Sequence, residues 1–325
     1  MDPEKIFSIS SEQAFKEIAL EIFRFQYANN PVYRKFSDLL KIDPKRINRI
    51  EKIPFLPIGL FKSHTILSSE EPIQKTFTSS GTTGTKTSKH YVTDLAVYEQ
   101  SFNLGFKKFY GDIEDYVVLA LLPSYLERDG SSLIYMAQHL IEESAHPDSG
   151  FYLNNLAELK EKLISLDNKG QKVLLIGVSF ALLDLVEDFQ FKLKNTIVME
   201  TGGMKGRRKE MIREELHSIL KKGFGVATIH SEYGMTELLS QAYSAGNGIF
   251  DCPPWMKILI RDPEDAQSFL ENNSTGGINV IDLANINSCS FIATQDLGKK
   301  HANNSVGIMG RFDNSDIRGC NLMVL

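Results

Sequence analysis

The chain has little cysteine, no long apolar run and no large charge excess, and each scarcity removes a class of function. Cys252, Cys289 and Cys320 are its three cysteines. They are odd in number, widely scattered and without paired metal-type spacing, which argues against a disulfide framework and a zinc site. The longest apolar runs, Val117 to Leu122 and Val173 to Val178, are strand-sized, far short of the ~20 residues that cross a bilayer, so no membrane span is expected. Met1-Asp2-Pro3-Glu4-Lys5 lacks the basic, apolar, then small-residue order of a secretory signal and points to the cytoplasm. A net charge of −5 gives no electrostatic reason to expect nucleic acid as partner.

What is present is an ordinary globular composition, 42% hydrophobic and 24% charged over 325 residues, enough to bury a large core and house an enzyme. Ser11 to Leu40 carries Phe15, Ile18, Ala19, Ile22 and Phe23 at amphipathic helical spacing. Pro54 and Pro57 punctuate Phe55 to Phe61, which reads as a loop or edge segment. Strands are then predicted at Tyr116–Leu122, Lys172–Gly177, Thr196–Met199 and Gly225–Ile229. Helices are predicted at Ser131–Glu143, Leu153–Leu166, Ser179–Gln190 and Lys205–Leu220. That alternation specifies a layered α/β fold with a mostly parallel sheet. Short strands at Lys257–Ile260, Gly277–Asp282 and Phe291–Ala293 predict a β-rich end piece. The organisation expected is one domain with a helical lead-in over 1–75, a nucleotide-binding core over 76–245 and the β-rich piece over 246–325.

The segment from Thr76 to Lys89 is the most informative. Gly81 and Gly84 allow tight turns, while Thr78, Ser79, Ser80, Thr82 and Thr83 add hydroxyls to the backbone N–H groups, a combination suited to a polyphosphate. Lys86 or Lys89 would neutralise its charge. The spacing is not that of a Walker loop, because Lys86 stands where that motif requires its second glycine. Taken alone, the same composition also suits a flexible surface loop.

Ser79-Ser80-Gly81-Thr82-Thr83-Gly84 closely resembles the Ser-Gly-Thr-Thr-Gly phosphate loop of the adenylate-forming superfamily, which includes acyl-CoA ligases and firefly luciferase. Tyr233-Gly234-Met235-Thr236-Glu237 matches that superfamily's Tyr-Gly-Met-Thr-Glu motif at every position. The resemblance implies ATP and magnesium: Tyr233 would stack on adenine, Thr236 would bond the α-phosphate, and Glu237 would hold the metal. Thr201-Gly202-Gly203 resembles the turn whose backbone approaches adenine. Ala293-Thr294-Gln295-Asp296 resembles the Thr-Gly-Asp segment whose aspartate binds the ribose, with Gln295 in place of glycine. Gly310-Arg311-Phe312-Asp313 resembles the hinge, with Arg311 near the ribose and Asp313 at the pivot.

Adenylating ligases of full length continue past the hinge into a small C-terminal domain with a catalytic lysine, whereas this sequence stops at Leu325. Its end, Ile317-Arg318-Gly319-Cys320, places a thiol beside a cation. Together with Pro123-Ser124-Tyr125-Leu126-Glu127-Arg128 and Phe55-Leu56-Pro57, this is similar to the LuxE-type acyl-protein synthetases. That resemblance implies activation of a fatty or other carboxylic acid as acyl-AMP, acyl transfer to Cys320, and delivery to a partner protein such as a reductase subunit. Cys320, Thr236, Glu237 and Lys86 are then the expected catalytic residues, and Cys252 is the weaker thiol candidate. His230, before the tyrosine motif, reads as a pocket residue or a buried structural histidine. Two alternatives stay open: direct transfer to coenzyme A or a carrier protein, and a nucleotide-binding subunit without turnover.

Overall fold

The structure is a computed structural model and describes residues 3–79, 87–122, 130–152, 155–202, 208, 211–263, 265, 267–271, 273–302 and 305–311. A single turn, α1 (Glu4–Phe7), precedes α2 (Glu12–Asn29), which starts where the Ser11 hydroxyl accepts the Ala14 N–H at 3.1 Å. The helical pattern predicted through Leu40 is interrupted at Asn30. That residue turns extended, accepts the N–H groups of Val32 and Tyr33, and starts α3 (Pro31–Leu39) with Pro31 at a position that needs no N–H. Phe55–Phe61 is indeed an edge segment: β1 (Leu56–Pro57) lies along a strand of the C-terminal sheet and leads into a 3-10 turn over Ile58–Lys62.

The hairpin of β2 (Lys75–Thr78) and β3 (Lys89–Val92) brackets the Gly/Ser/Thr segment. Helices and apolar strands then alternate: α4 (Leu95–Tyr110), β4 (Val117–Leu121), α5 (Ser132–Ser144), β5 (Gly150–Phe151), α6 (Leu156–Asn168), β6 (Val173–Gly177), α7 (Ser179–Asp188), β7 (Thr196–Glu200), α8 (Arg213–Phe224) and β8 (His230–Tyr233). The strands form a parallel sheet in the order β5-β4-β6-β7-β8, and β9 (Ala242–Ser244) adds one antiparallel neighbour to β8. Every residue of β4 and β6 is buried, as expected of strands covered on both faces. Each such Val, Leu or Ile contributes ~1.5–3 kcal/mol of burial free energy, which makes this pair the stable floor of the site.

One predicted strand is misplaced. Gly225–Ile229 is not a strand, and β8 starts at His230 instead. Gly225 ends α8 in the left-handed conformation at φ +68°, where a Cβ would stand 2.6 Å from the Phe191 carbonyl oxygen. The helix expected over Lys205–Leu220 runs from Arg213 to Phe224.

The end piece is a second sheet built from β10 (Ile249–Phe250), β11 (Met256–Arg261), β12 (Thr275–Asp282), β13 (Phe291–Lys300) and β14 (Val306–Arg311), ordered β10-β14-β13-β12-β11 and antiparallel, with β1 parallel beside β13. Where a strand over Phe291–Ala293 alone is predicted, β13 continues to Lys300, because β14 pairs with its second half from Asp296↔Arg311 to Lys300↔Val306. A buried polar seam fastens the lead-in to this sheet: Gln26 Nε2 donates to the carbonyls of Asn285 and Ile286 at 3.1 and 2.8 Å, and Asn30 Nδ2 donates to that of Ser288 at 3.1 Å. Among the described residues no helix is long and apolar enough to cross a membrane.

Candidate active site

The parallel strands β7 and β8 end side by side, and the crevice beyond such carboxyl ends is where open α/β sheets bind ligands. Tyr233, the last residue of β8, donates its hydroxyl to Asp296 Oδ2 at 2.8 Å across the gap between the two sheets. Asp296 faces Arg311 in the β13–β14 register, with Arg311 Nε 3.6 Å from Oδ1. Register shifts at Gly277/Asn279 in the β12–β13 pairing and at Leu297/Gly298 in the β13–β14 pairing bend this end of the sheet, as bulges near sites commonly do. Arg261 laces the bent region by donating to the carbonyls of Ile278 and Thr294 at 2.8 and 2.9 Å, and Gly277 leaves room for its guanidinium. Burial pushes the Asp296 carboxyl up, against the pull of the Tyr233 hydroxyl, Arg311 and Arg261. The structure therefore brings together Tyr233, Asp296 and Arg311, three residues singled out in the sequence.

The Thr236–Glu237 turn is held from behind. The Thr236 carbonyl lies 2.8 Å from His90 Nδ1, Asn285 Nδ2 donates to the Glu237 carbonyl at 2.7 Å, and His90 Nε2 lies 3.0 Å from Asn285 Oδ1. Enclosure favours the neutral His90 ring and pushes it down to about 4, while the two oxygen acceptors favour a proton on it. Further on, Asp282 accepts the N–H groups of Leu239 and Ser240 at 2.7 and 3.0 Å. The Glu237 side chain is only 6% exposed. Burial pushes its carboxyl up, and the Ser88 hydroxyl, Arg311 and Lys62 pull it down, so groups from three distant segments surround it.

His90→Phe keeps an aromatic ring against Phe61, whose centroid is 5.9 Å away, but leaves the Thr236 carbonyl without its donor. The substitution is expected to cost ~1–3 kcal/mol, read as a lowered urea midpoint. An unchanged midpoint would show that the clamp carries no stability.

Ser79 ties the two ends of the phosphate-loop candidate: its Oγ accepts the Ser88 N–H at 2.9 Å, and its own N–H donates to the Ser88 carbonyl at 3.1 Å. Lys89 opens β3 and is exposed. Ser80, Gly81, Thr82, Thr83, Gly84, Lys86, Gly203 and Cys320 lie outside the described residues.

At the end of β7, the turn at Gly202 is fixed by a residue that sequence reasoning missed. Buried Glu200 accepts the Gly202 N–H at 2.7 Å and the Ser179 hydroxyl at 3.2 Å. Burial alone would push this carboxyl up, but His217, Arg213, Ser231 and the Gly202 N–H outweigh it and hold it at about 2. The adjacent Thr201 hydroxyl is buried and has no hydrogen-bond partner among the described residues. Lys62 was missed as well. Its only sequence signal is a cation after the Pro57 punctuation, and a lone surface lysine carries no specific message.

Of the remaining candidates, Cys252 is unsuited to nucleophilic work, because burial pushes its thiol up to about 12. Cys289 is buried and pushed to about 12 for the same reason. His230 Nδ1 lies 3.2 Å from the Tyr110 hydroxyl, and burial lowers its basicity. Glu232 folds over Gly234, where a Cβ would collide with Oε1, and burial followed by the charge of Glu200 pushes its carboxyl up to about 8. Gly234 in the motif is therefore required by space. Among the described residues no group of three or more His, Cys, Asp or Glu side chains could hold a metal ion. A single carboxylate such as Glu237 still fits magnesium, which commonly takes one or two protein carboxylates and completes its shell with phosphate oxygens and water.

Comparison with known proteins gives a consistent set of relatives. The family described as "Acyl-protein synthetase, LuxE" matches residues 2–100. The long-chain-fatty-acid–luciferin-component ligase of Vibrio harveyi is 22% identical over 325 residues, covering 92% of this chain and 84% of its own. The protein of the same name from Photorhabdus luminescens is 38% identical over 76 residues, 23% of this chain and 65% of its own. Among solved structures, 2-hydroxyisobutyryl-CoA ligase in complex with 2-HIB-AMP and CoA superposes with a TM-score of 0.68 at 13% identity, over 96% of this chain and 71% of that chain. Apo MatB from Rhodopseudomonas palustris superposes with a TM-score of 0.54 at 17% identity, over 82% of this chain, which spans 50% of the MatB chain. At such identities these likenesses show the fold, which is that of the adenylate-forming ligases.

Proposed function

We propose that this chain, a relative of the LuxE acyl-protein synthetases with the fold of the adenylate-forming ligases, activates a carboxylic acid with ATP and transfers the acyl group to a thiol, acting in the cytoplasm. The observation that carries this reading is the contact of Tyr233 with Asp296 and Arg311 beside a buried Glu237, with the phosphate-loop candidate anchored next to it at Ser79 and Ser88. The residues fit ATP. Tyr233 presents a flat ring for adenine, and the partnerless Thr201 hydroxyl lies on the adjoining turn. Asp296 suits the ribose hydroxyls, with Arg311 holding its charge in place. The Thr236 hydroxyl is placed for the α-phosphate, and the loop from Ser79 to Gly84 with Lys86 for the outer phosphates. Magnesium, held through Glu237, would offset phosphate charge.

In the first half-reaction the carboxylate oxygen attacks the α-phosphorus, the bond to the bridging oxygen breaks, and pyrophosphate leaves with its electron pair. The product is an acyl-AMP mixed anhydride. In the second, a thiolate attacks the acyl carbon and AMP leaves, so a thioester remains. Cys320 beside Arg318 is the thiol assigned, since a neighbouring cation favours thiolate and the two described cysteines are both pushed the other way. The acid assigned is a long-chain fatty acid, and the final acceptor is a partner protein such as a reductase subunit, in keeping with the names of the curated relatives.

The test is incubation of the purified chain with ATP, magnesium and labelled fatty acid, followed by pyrophosphate exchange and by mapping of hydroxylamine-sensitive label. Exchange with label on Cys320 is expected. No exchange with any acid would end the reading, whereas exchange with label only on added coenzyme A would keep the adenylation and move the acceptor.

A further inference from the structure

We propose that Arg213 is a positioning residue for the nucleotide half of the site, joining the turn after β7 to β14 and so setting the spacing of the two walls that receive adenosine. The inference rests on the reading of the site as an ATP site. Arg213 opens α8 and is far in sequence from every motif residue, yet it reaches three parts of that site. Its Nε lies 3.5 Å from Glu200 Oε1, the carboxylate that holds the Gly202 N–H. Its Nη1 donates to the Ile308 carbonyl at 2.9 Å, on the strand that carries Arg311. Its guanidinium sits over the Phe250 ring at 4.9 Å, and Phe250 in turn meets the Tyr233 ring edge-on at 6.1 Å.

Only a guanidinium does all three at once, because it offers donors in different directions and a flat face for the ring. A lysine would keep the charge near Glu200 but lacks the second donor arm and the plane. The site is shaped for this side chain: Gly248, at φ +65°, leaves the space in which a Cβ would stand 3.0 Å from Arg213 Cδ. The side chain is 25% exposed, so the strut is partly shielded from water and its contacts are little screened. Removing it would free the Gly202 turn and β14 to move apart, which alters adenosine binding and leaves the acid side of the crevice as it was.

Arg213→Met and Arg213→Lys in the pyrophosphate-exchange assay test this, with the thermal midpoint of each variant recorded. Arg213→Met is expected to raise the KM for ATP about tenfold and Arg213→Lys about threefold, with kcat at saturating ATP and the KM for the acid within twofold of wild type. An ATP KM unchanged in both variants, or a KM for the acid that rises in step with that for ATP, would overturn the assignment. If Arg213→Met fails to fold, Arg213→Lys decides by the same criteria. Wild-type chain that neither exchanges pyrophosphate nor binds ATP in calorimetry would instead defeat the ATP reading itself, which separates the two failures.

Discussion

Asp296→Ala is expected to lower kcat/KM for ATP about 100-fold in pyrophosphate exchange, since it removes two contacts to a charged group worth ~1.5 kcal/mol each and ~1.4 kcal/mol corresponds to tenfold. Asp296 accepts the Tyr233 hydroxyl at 2.8 Å and faces Arg311, so its loss unties the tyrosine ring from β13 and leaves the guanidinium without its carboxylate. The ribose hydroxyls lose their acceptor in the same step. Asp296→Asn keeps the volume and one amide oxygen toward Tyr233 but no charge toward Arg311, and a loss of about tenfold is expected there. The KM for the acid stays near wild type in both, because none of these contacts points at the acyl side. A fall of less than threefold in Asp296→Ala would mean that the aspartate is a structural partner of Tyr233 and no part of nucleotide binding.

Much of this arrangement is legible in the sequence, and what is illegible shares a physical cause. The buried strands announce themselves as apolar runs, because Val117–Leu121 and Val173–Gly177 are covered on both faces. Tyr233, Thr236 and Glu237 stand together in one short motif, and Asp296 and Arg311 in two others. β8 is different: His230-Ser231-Glu232-Tyr233 is a polar strand, since it faces the crevice and a buried carboxylate. The apolar Val226 and Ile229 before it draw the predicted strand too early, into residues that follow the Gly225 helix stop. The second half of β13 is likewise polar and half-exposed, and it becomes a strand only because β14 pairs with it. The residues that hold the site from behind leave no local trace at all. His90 and Asn285 lie 195 positions apart, and Ile308 stands 95 positions from the guanidinium that binds its carbonyl. Their roles arise from tertiary contact, which neither periodicity nor motif spacing encodes.

Glu232→Gln is expected to stabilise the protein at pH 8 and to leave it unchanged at pH 4. Glu232 lies near Tyr98, Tyr110 and Tyr243, which feel its charge, and it makes no hydrogen bond or ion pair among the described residues. Burial first, and then the Glu200 charge, push its carboxyl from 4.5 up to about 8 in the folded chain. The unfolded chain releases this proton near the ordinary carboxylate value, whereas the folded chain keeps it until about pH 8. Across that window the unfolded state binds fewer protons, so stability is fully present below 4.5, falls as pH rises, and levels off above about 8. At ~1.4 kcal/mol per pH unit, the accumulated penalty is on the order of a few kcal/mol, large beside the ~5–15 kcal/mol net stability of a typical domain. Glutamine keeps the shape over Gly234 and has no proton to lose, so the variant escapes the slope. Urea unfolding at pH 4, 6 and 8 reads the effect directly: the two proteins should coincide at the lowest pH and diverge upward. Parallel pH profiles would show that Glu232 ionises in the folded chain as it does in the unfolded one, and that a cation or water supports its charge.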